Sequence, residues 1–277
     1  MSRRNPNGIR FAYDDIGWSP DGSRQREALA DISAVGFRGF ETISQRLGPY
    51  LTAPDGAERF RDLLESHGLQ LVCTTGATEQ IARFARALGA GVVMVGVPQR
   101  ERPDAPVEKF DDVIDRLNEQ GRRMADHGVR MGVHPAVWTK FARPEEIRTI
   151  LDHTDPRYVH FIPDIGQITL GGGDPVELCR EYIGRTVHVH LADTAPEFRG
   201  GKRGHFYYTY QEAITGHHMR DLGAGGVDVA ALLQALVEGG YGGWVTIEAY
   251  LPPRSARESC EHNRRYIEEV LGWVVAA

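Results

Sequence analysis

The chain has 277 residues, 41% of them apolar and 25% charged, with 32 glycines and 15 prolines. That composition excludes disordered, fibrous and coiled-coil architectures, and the length allows a large buried core. The formal net charge is −6 with no block of like charges, so no nucleic-acid partner is expected.

The N-terminal Arg3-Arg4 pair has no apolar stretch behind it and does not read as a secretory signal. The longest apolar run, 91–98, is far too short to cross a bilayer, so no membrane partner is expected. Cys73, Cys179 and Cys260 are odd in number and scattered, which fits a reduced, cytoplasmic setting without a disulfide framework. They read as plain small core or surface residues.

Short apolar, β-branched runs alternate with amphipathic segments along the chain. The predicted strands cover 9–13, 37–43, 69–74, 91–97, 129–134, 158–164, 186–191 and 244–248. Between them, Phe110, Val113, Ile114 and Leu117 mark one helical face, and Val229, Leu232, Leu233, Leu236 and Val237 another. Pro144 and the Asp174-Pro175 pair signal helix starts; His67-Gly68, His127-Gly128 and Gly239-Gly240 signal helix ends. Eight βα units in one chain of this length predict a (β/α)8 TIM barrel, an α/β fold, as one domain over 1–277. The competing doubly wound sheet usually carries G-x-G-x-x-G after its first strand, and no such turn is present. One connection, about 194–227, is anomalously long. Its aromatics Phe198, Phe206, Tyr207, Tyr208 and Tyr210 suit a lid, a subunit contact or a self-packed loop. A mixed lid and contact role is favoured, and a homo-oligomer is expected.

Barrel active sites form where the strands end, at the C-terminal face. Period-2 alternation points Gly132 and His134 inward from one strand, and His160, Ile162 and Asp164 from the next. The same alternation turns His188 and His190 inward and Val187 outward, and places Trp244, Thr246 and Glu248 inside. Four consecutive strands thus end in an inward imidazole or carboxylate: His134, Asp164, His190 and Glu248. One such residue is commonly structural, but four at equivalent strand ends would each need a buried partner, so the set points to a divalent metal site. His188, one pleat below His190, either supports that site or exchanges protons. Gly171-Gly172-Gly173 reads as a flexible turn, with a phosphate-binding loop as its alternative.

These stretches resemble the xylose-isomerase-like sugar isomerase/epimerase barrels, and within them the inosose dehydratases. The resemblance rests on His134-Pro-Ala-Val-Trp-Thr, Pro163-Asp-Ile-Gly-Gln with Gly172-Gly-Asp-Pro, and His188-Val-His-Leu-Ala-Asp193. It is completed by Leu222-Gly-Ala-Gly-Gly-Val-Asp228, Gly243-Trp-Val-Thr-Ile-Glu248 and Gly36-Phe-Arg-Gly-Phe-Glu41, whose glutamate matches one that faces the pocket. The resemblance implies a divalent ion acting on a polyhydroxy ketone. Manganese or cobalt is the expected ion, with magnesium or zinc as alternatives. Asp164, His190 and Glu248 match the usual ligand positions. His134 stands where many relatives carry a metal-binding glutamate, Gln167 and Ala136 replace histidines, and Ala192 replaces a lysine.

The implied activity is a metal-dependent lyase or isomerase that removes a proton next to the carbonyl of a cyclitol or keto-sugar. An inosose-dehydratase-like elimination leads; a keto-sugar isomerase or epimerase is the alternative, and a non-catalytic binding barrel the second. Glu248, His188 and Glu41 are the expected proton-moving groups, without a division into acid and base. Abasic-site nucleases of the same superfamily would need a basic surface, which this chain lacks.

Overall fold

The structure is a computed structural model that describes residues 5–19, 21–102, 107, 109–201, 204–250 and 254–275. Its strands are β1 (Arg10–Asp14), β2 (Gly39–Thr42), β3 (Gln70–Thr75), β4 (Val92–Val95), β5 (Arg130–Val133) and β6 (Val159–Phe161). There follow β7 (Val189–Leu191), the short β8 (Asp193–Thr194) and β9 (Met219–Arg220), and β10 (Trp244–Ile247). The eight long-range strands pair in the order β6-β5-β4-β3-β2-β1-β10-β7, all parallel. Parallel bridges Phe161–Thr186 and Asp164–His190 bring β7 back against β6 and close the barrel. Every one of the eight expected strands is present.

The helices are α1 (Gln25–Val35), α2 (Gly48–Leu51), α3 (Gly56–Ser66), α4 (Glu79–Ala87), α5 (Asp111–Asp126) and α6 (Pro144–His153). The second half adds α7 (Ile165–Leu170), α8 (Pro175–Glu181), α9 (Tyr210–Thr215), α10 (Val229–Glu238) and α11 (Ala256–Arg265). Their ends follow local chemistry. Asp174 and Asp228 accept the first-turn N–H groups of α8 and α10, and Pro144 opens α6 as expected. The α5 stop falls at Gly128, whose φ of 71° a side chain would strain.

Strand alternation sorts the core into two layers. Phe11, Phe40, Leu71, Val93, Met131, Val159, Val189 and Val245 face the helices in the main core. Ala12, Val72, Cys73, Val92, Ile162 and Val187 fill the barrel interior, with Met94 and Trp244 against them. A Cβ at Gly132 would meet Ile162 Cδ1 at 2.6 Å, so the interior layer requires a bare backbone there.

The inward position of Val187 corrects the alternation argument, which turned it outward. Between the two β6–β7 bridges there are three steps along one strand (161 to 164) and four along the other (186 to 190). The extra residue is a bulge, and it lets Val187 and His188 both point inward. A second register shift, between Phe40–Leu71 and Glu41–Cys73, does the same for Val72 and Cys73.

The long 194–227 connection has structure of its own. A 3-10 turn spans Pro196–Gly201, α9 follows, and β9 pairs antiparallel with β8. Phe198 is buried, and Phe206 lies between the guanidinium groups of Arg100 and Arg143, 4.6 and 4.2 Å from its ring centre. Tyr210 packs on Trp138, and only Tyr208 of the five aromatics is exposed, at 57%. Most of the apolar surface of this loop is therefore covered by its own barrel.

Candidate metal centre

Each expected donor sits where a strand ends. His134 follows β5, Asp164 follows β6 and caps α7, His190 lies in β7, and Glu248 follows β10. One ligand-capable atom from each of the four lies within 4.8 Å of the others, and all four residues are buried. The His134 and His190 rings stand 4.9 Å apart, centre to centre.

Asp164 Oδ1 accepts the Gln167 N–H at 2.9 Å, which fixes the carboxylate against the start of α7. Its Oδ2 and His134 Nε2 lie 3.4 Å apart, and both are buried without a hydrogen-bond partner among the described residues. Buried polar atoms are rarely left so, because desolvation without a partner costs about 1–3 kcal/mol each. Two such atoms, paired only with each other at 3.4 Å beside a second imidazole and a second carboxylate, fit a divalent cation. Two carboxylates balance its charge, and mixed N and O donors suit first-row transition ions and zinc.

Below this set lies a chain of imidazoles and carboxylates. His190 Nδ1 is 3.2 Å from Glu248 Oε2, and His190 Nε2 is 3.0 Å from Glu41 Oε1. Glu41 Oε2 is 2.8 Å from His188 Nε2, which is also 2.9 Å from Thr246 Oγ1. Burial alone would lower the pKa of the His190 imidazole, but Glu41 and Glu248 outweigh it and hold it well above its ordinary value. Burial pushes Glu41 up, yet His190 and His188 hold its carboxyl well below the usual range. His188 is lowered, because burial exceeds the pull of Glu41. Asp164 resists burial in the same way and stays below the carboxylate range through His134, His190 and the Gln167 N–H.

All the sequence-predicted site residues therefore meet at one end of the barrel. His160 also points in but sits away from the centre, beside Arg130 and Arg185. Three contributors escaped the sequence reading. Asp14, at the end of β1, pairs in register with Glu41 and is buried; burial, then Asp15, Glu248 and Glu41, push its carboxyl well up. A strand-end carboxylate was the available signal. Cys73 lies within the Glu41–His188 group. Tyr250 faces Glu248; burial first, then Glu248 and Asp164, push its phenol well up. Tyr250 also packs with Ile16, Tyr210 and Met219 in one apolar cluster over the mouth. Gly171, Gly172 and Gly173 spend their N–H groups on Gln167, Thr169 and Ile168 carbonyls, so that turn presents no free amides to a phosphate.

A closed parallel barrel with its polar cluster at the strand ends defines the class of the molecule: the chain belongs to the xylose isomerase-like TIM barrel family, whose sequence profile matches residues 75–266. Among its relatives, an inosose dehydratase of Clostridium botulinum (strain Alaska E43 / Type E3) is 25% identical over 300 residues, covering 96% of this chain and 98% of that protein. The solved structure of the probable 3-DHS dehydratase AsbF from Bacillus anthracis matches with a TM-score of 0.73 at 13% identity, over 93% of this chain and 98% of that one. The IOLI protein with a binding zinc atom matches with a TM-score of 0.72 at 15% identity, over 95% and 98%. At these identities the two structures speak for the fold. Among the described residues no helix is long and apolar enough to cross a membrane.

Proposed function

We propose that this chain is a divalent-metal-dependent lyase or isomerase acting on a polyhydroxy ketone, with inosose-dehydratase-like elimination as its reaction. The observation that carries the reading is the pair of orphaned buried atoms, His134 Nε2 and Asp164 Oδ2, within a four-residue donor set at the barrel mouth. Full-length similarity to an inosose dehydratase supports the substrate class. His134, Asp164, His190 and Glu248 would hold the ion, with manganese or cobalt suited to the set and the zinc of IOLI in keeping with it. Bound there, such an ion supplies Lewis-acid polarisation of the ketone, worth several kcal/mol where charge develops.

The protein groups do the rest. Glu248 Oε2 faces the donor set beside His190 Nδ1, which leaves the other carboxylate oxygen to take the proton from the carbon beside the carbonyl. Elimination then forms a carbon–carbon double bond as the β-hydroxyl leaves with a proton as water. Asp14, whose burial among Asp15, Glu248 and Glu41 favours the protonated form, is placed on the neighbouring strand to supply that proton. Trp138, Tyr210 and Tyr250 roof the mouth and exclude water. Epimerisation would need a second base on the opposite face, and the other inward glutamate, Glu41, has both oxygens on imidazoles. Elimination or one-base isomerisation is therefore favoured over epimerisation.

The test is turnover of an inosose by manganese-loaded protein, read as loss of one water by mass spectrometry. Glu248→Gln should abolish it with the fold intact, because an amide cannot take the proton. A product of unchanged mass would replace elimination by isomerisation. No product from any keto-cyclitol or keto-sugar, with the ion bound, would favour a binding barrel.

A further inference from the structure

Resting on the metal-site reading above, we propose that Glu41 is the positioning residue of the centre: its Oε1 accepts the Nε2–H of His190, and so turns the Nδ1 lone pair toward His134, Asp164 and Glu248. A histidine has one nitrogen to give a cation, and the partner of its other nitrogen decides which one it is. The Nδ1 of His190 faces the donor set, 3.2 Å from Glu248 Oε2, while its Nε2 faces away, 3.0 Å from Glu41 Oε1. Glu41 is itself held from below. Its Oε2 accepts from His188 Nε2 at 2.8 Å, and the same nitrogen lies 2.9 Å from Thr246 Oγ1. The order from the interior upward is therefore Thr246, His188, Glu41, His190, then the metal donors.

The placement follows from the sheet. Glu41 lies on β2, across the barrel from β7, and reaches both inward histidines because His188, just before β7, and His190 within it are two residues apart and so share one wall. Glu41 is buried, and both its oxygens are already taken by His190 and His188. This argues for support of the centre over direct proton transfer to substrate, one of the roles the sequence suggested.

One rival occupant exists. Glu41, Cys73 and His188 also bring ligand-capable atoms within 4.8 Å of one another, as a second ion would require. Against it, among the described residues neither Glu41 nor His188 has an atom that is buried without a hydrogen-bond partner, in contrast to His134 and Asp164 one layer above. A carboxylate shared by two imidazoles is already satisfied.

The experiment is titration of apoprotein with manganese and zinc, by calorimetry and chelator competition, for wild type, Glu41→Gln and Glu41→Asp. Glu41→Gln should retain a stoichiometry of one ion per chain but weaken affinity by about 10–100-fold, with partial recovery in Glu41→Asp. As a measurement that does not depend on a variant folding, 15N spectra of histidine-labelled, zinc-loaded wild type should show His190 protonated at Nε2 and coordinated through Nδ1. Affinity in Glu41→Gln within twofold of wild type, or His190 coordinated through Nε2, overturns the assignment. Two ions in wild type falling to one in Glu41→Gln overturns it by making Glu41 a ligand. Wild type that binds no ion refutes the metal-site reading itself, a distinct result.

Discussion

Asp193 offers a test of how the barrel mouth is held. Its carboxylate accepts four backbone N–H groups: Oδ1 takes Thr194 at 2.8 Å and Val227 at 2.9 Å, and Oδ2 takes Gly223 and Gly225, each at 3.0 Å. It is fully buried, and a Cβ at Gly225 would collide with it and with the Thr194 carbonyl. Asp193→Asn preserves the shape but sets an NH2 against two of those donors. Two charge-assisted bonds carry roughly 3–6 kcal/mol, and hydration of the exposed Gly223 and half-buried Gly225 returns part of it, so we expect about 2–3 kcal/mol of destabilisation. Urea denaturation followed by fluorescence and circular dichroism measures this, and limited proteolysis should show earlier cleavage near 221–227. Metal content should not change, because Asp193 is outside the donor set. A destabilisation below about 0.5 kcal/mol would refute the claim that this one carboxylate organises the loop.

Two further outcomes follow from the same geometry. Tyr210→Ala removes the ring that packs tilted against Trp138 at 5.4 Å and should lower kcat/KM on an inosose about tenfold or more, with unchanged mass in light scattering. Unchanged kinetics would show that α9 takes no part in closing the site, and a change in mass would instead make the loop a subunit contact. His160 is lowered from 6.5 to about 4, by burial first and then by Arg130 and Arg185. The unfolded chain therefore binds the proton more readily, and the stability contributed by neutral His160 is lost as pH falls from about 6.5 through about 4. His160→Gln should flatten that limb of the urea midpoint against pH, and an unchanged limb would contradict it.

The fold was legible because parallel barrel strands are short, apolar and evenly spaced, and because helix stops such as Gly128 announce themselves locally. The gathering of four polar strand-end residues was legible for the same reason: alternation around Val133, Phe161, Leu191 and Ile247 fixes where His134, Asp164, His190 and Glu248 point. Alternation failed at the bulge between β6 and β7. Nothing local marks Val187 as an extra residue, since a bulge is defined by the neighbouring strand, and so it was read as outward. The partnership of Glu41 with His188 and His190 joins residues 147 and 149 positions apart, and only ring closure brings them together. Asp14 was missed by one residue of strand length, the usual uncertainty of an element boundary.

The most direct test of the account is the metal content of purified protein, read by elemental analysis beside Asp164→Ala and His134→Ala. The account predicts close to one divalent transition ion per wild-type chain, lost or greatly weakened in both variants while circular dichroism and thermal unfolding still report a folded barrel. Wild-type protein that turns over an inosose at full rate after exhaustive chelation, or Asp164→Ala protein that keeps its ion, would contradict it.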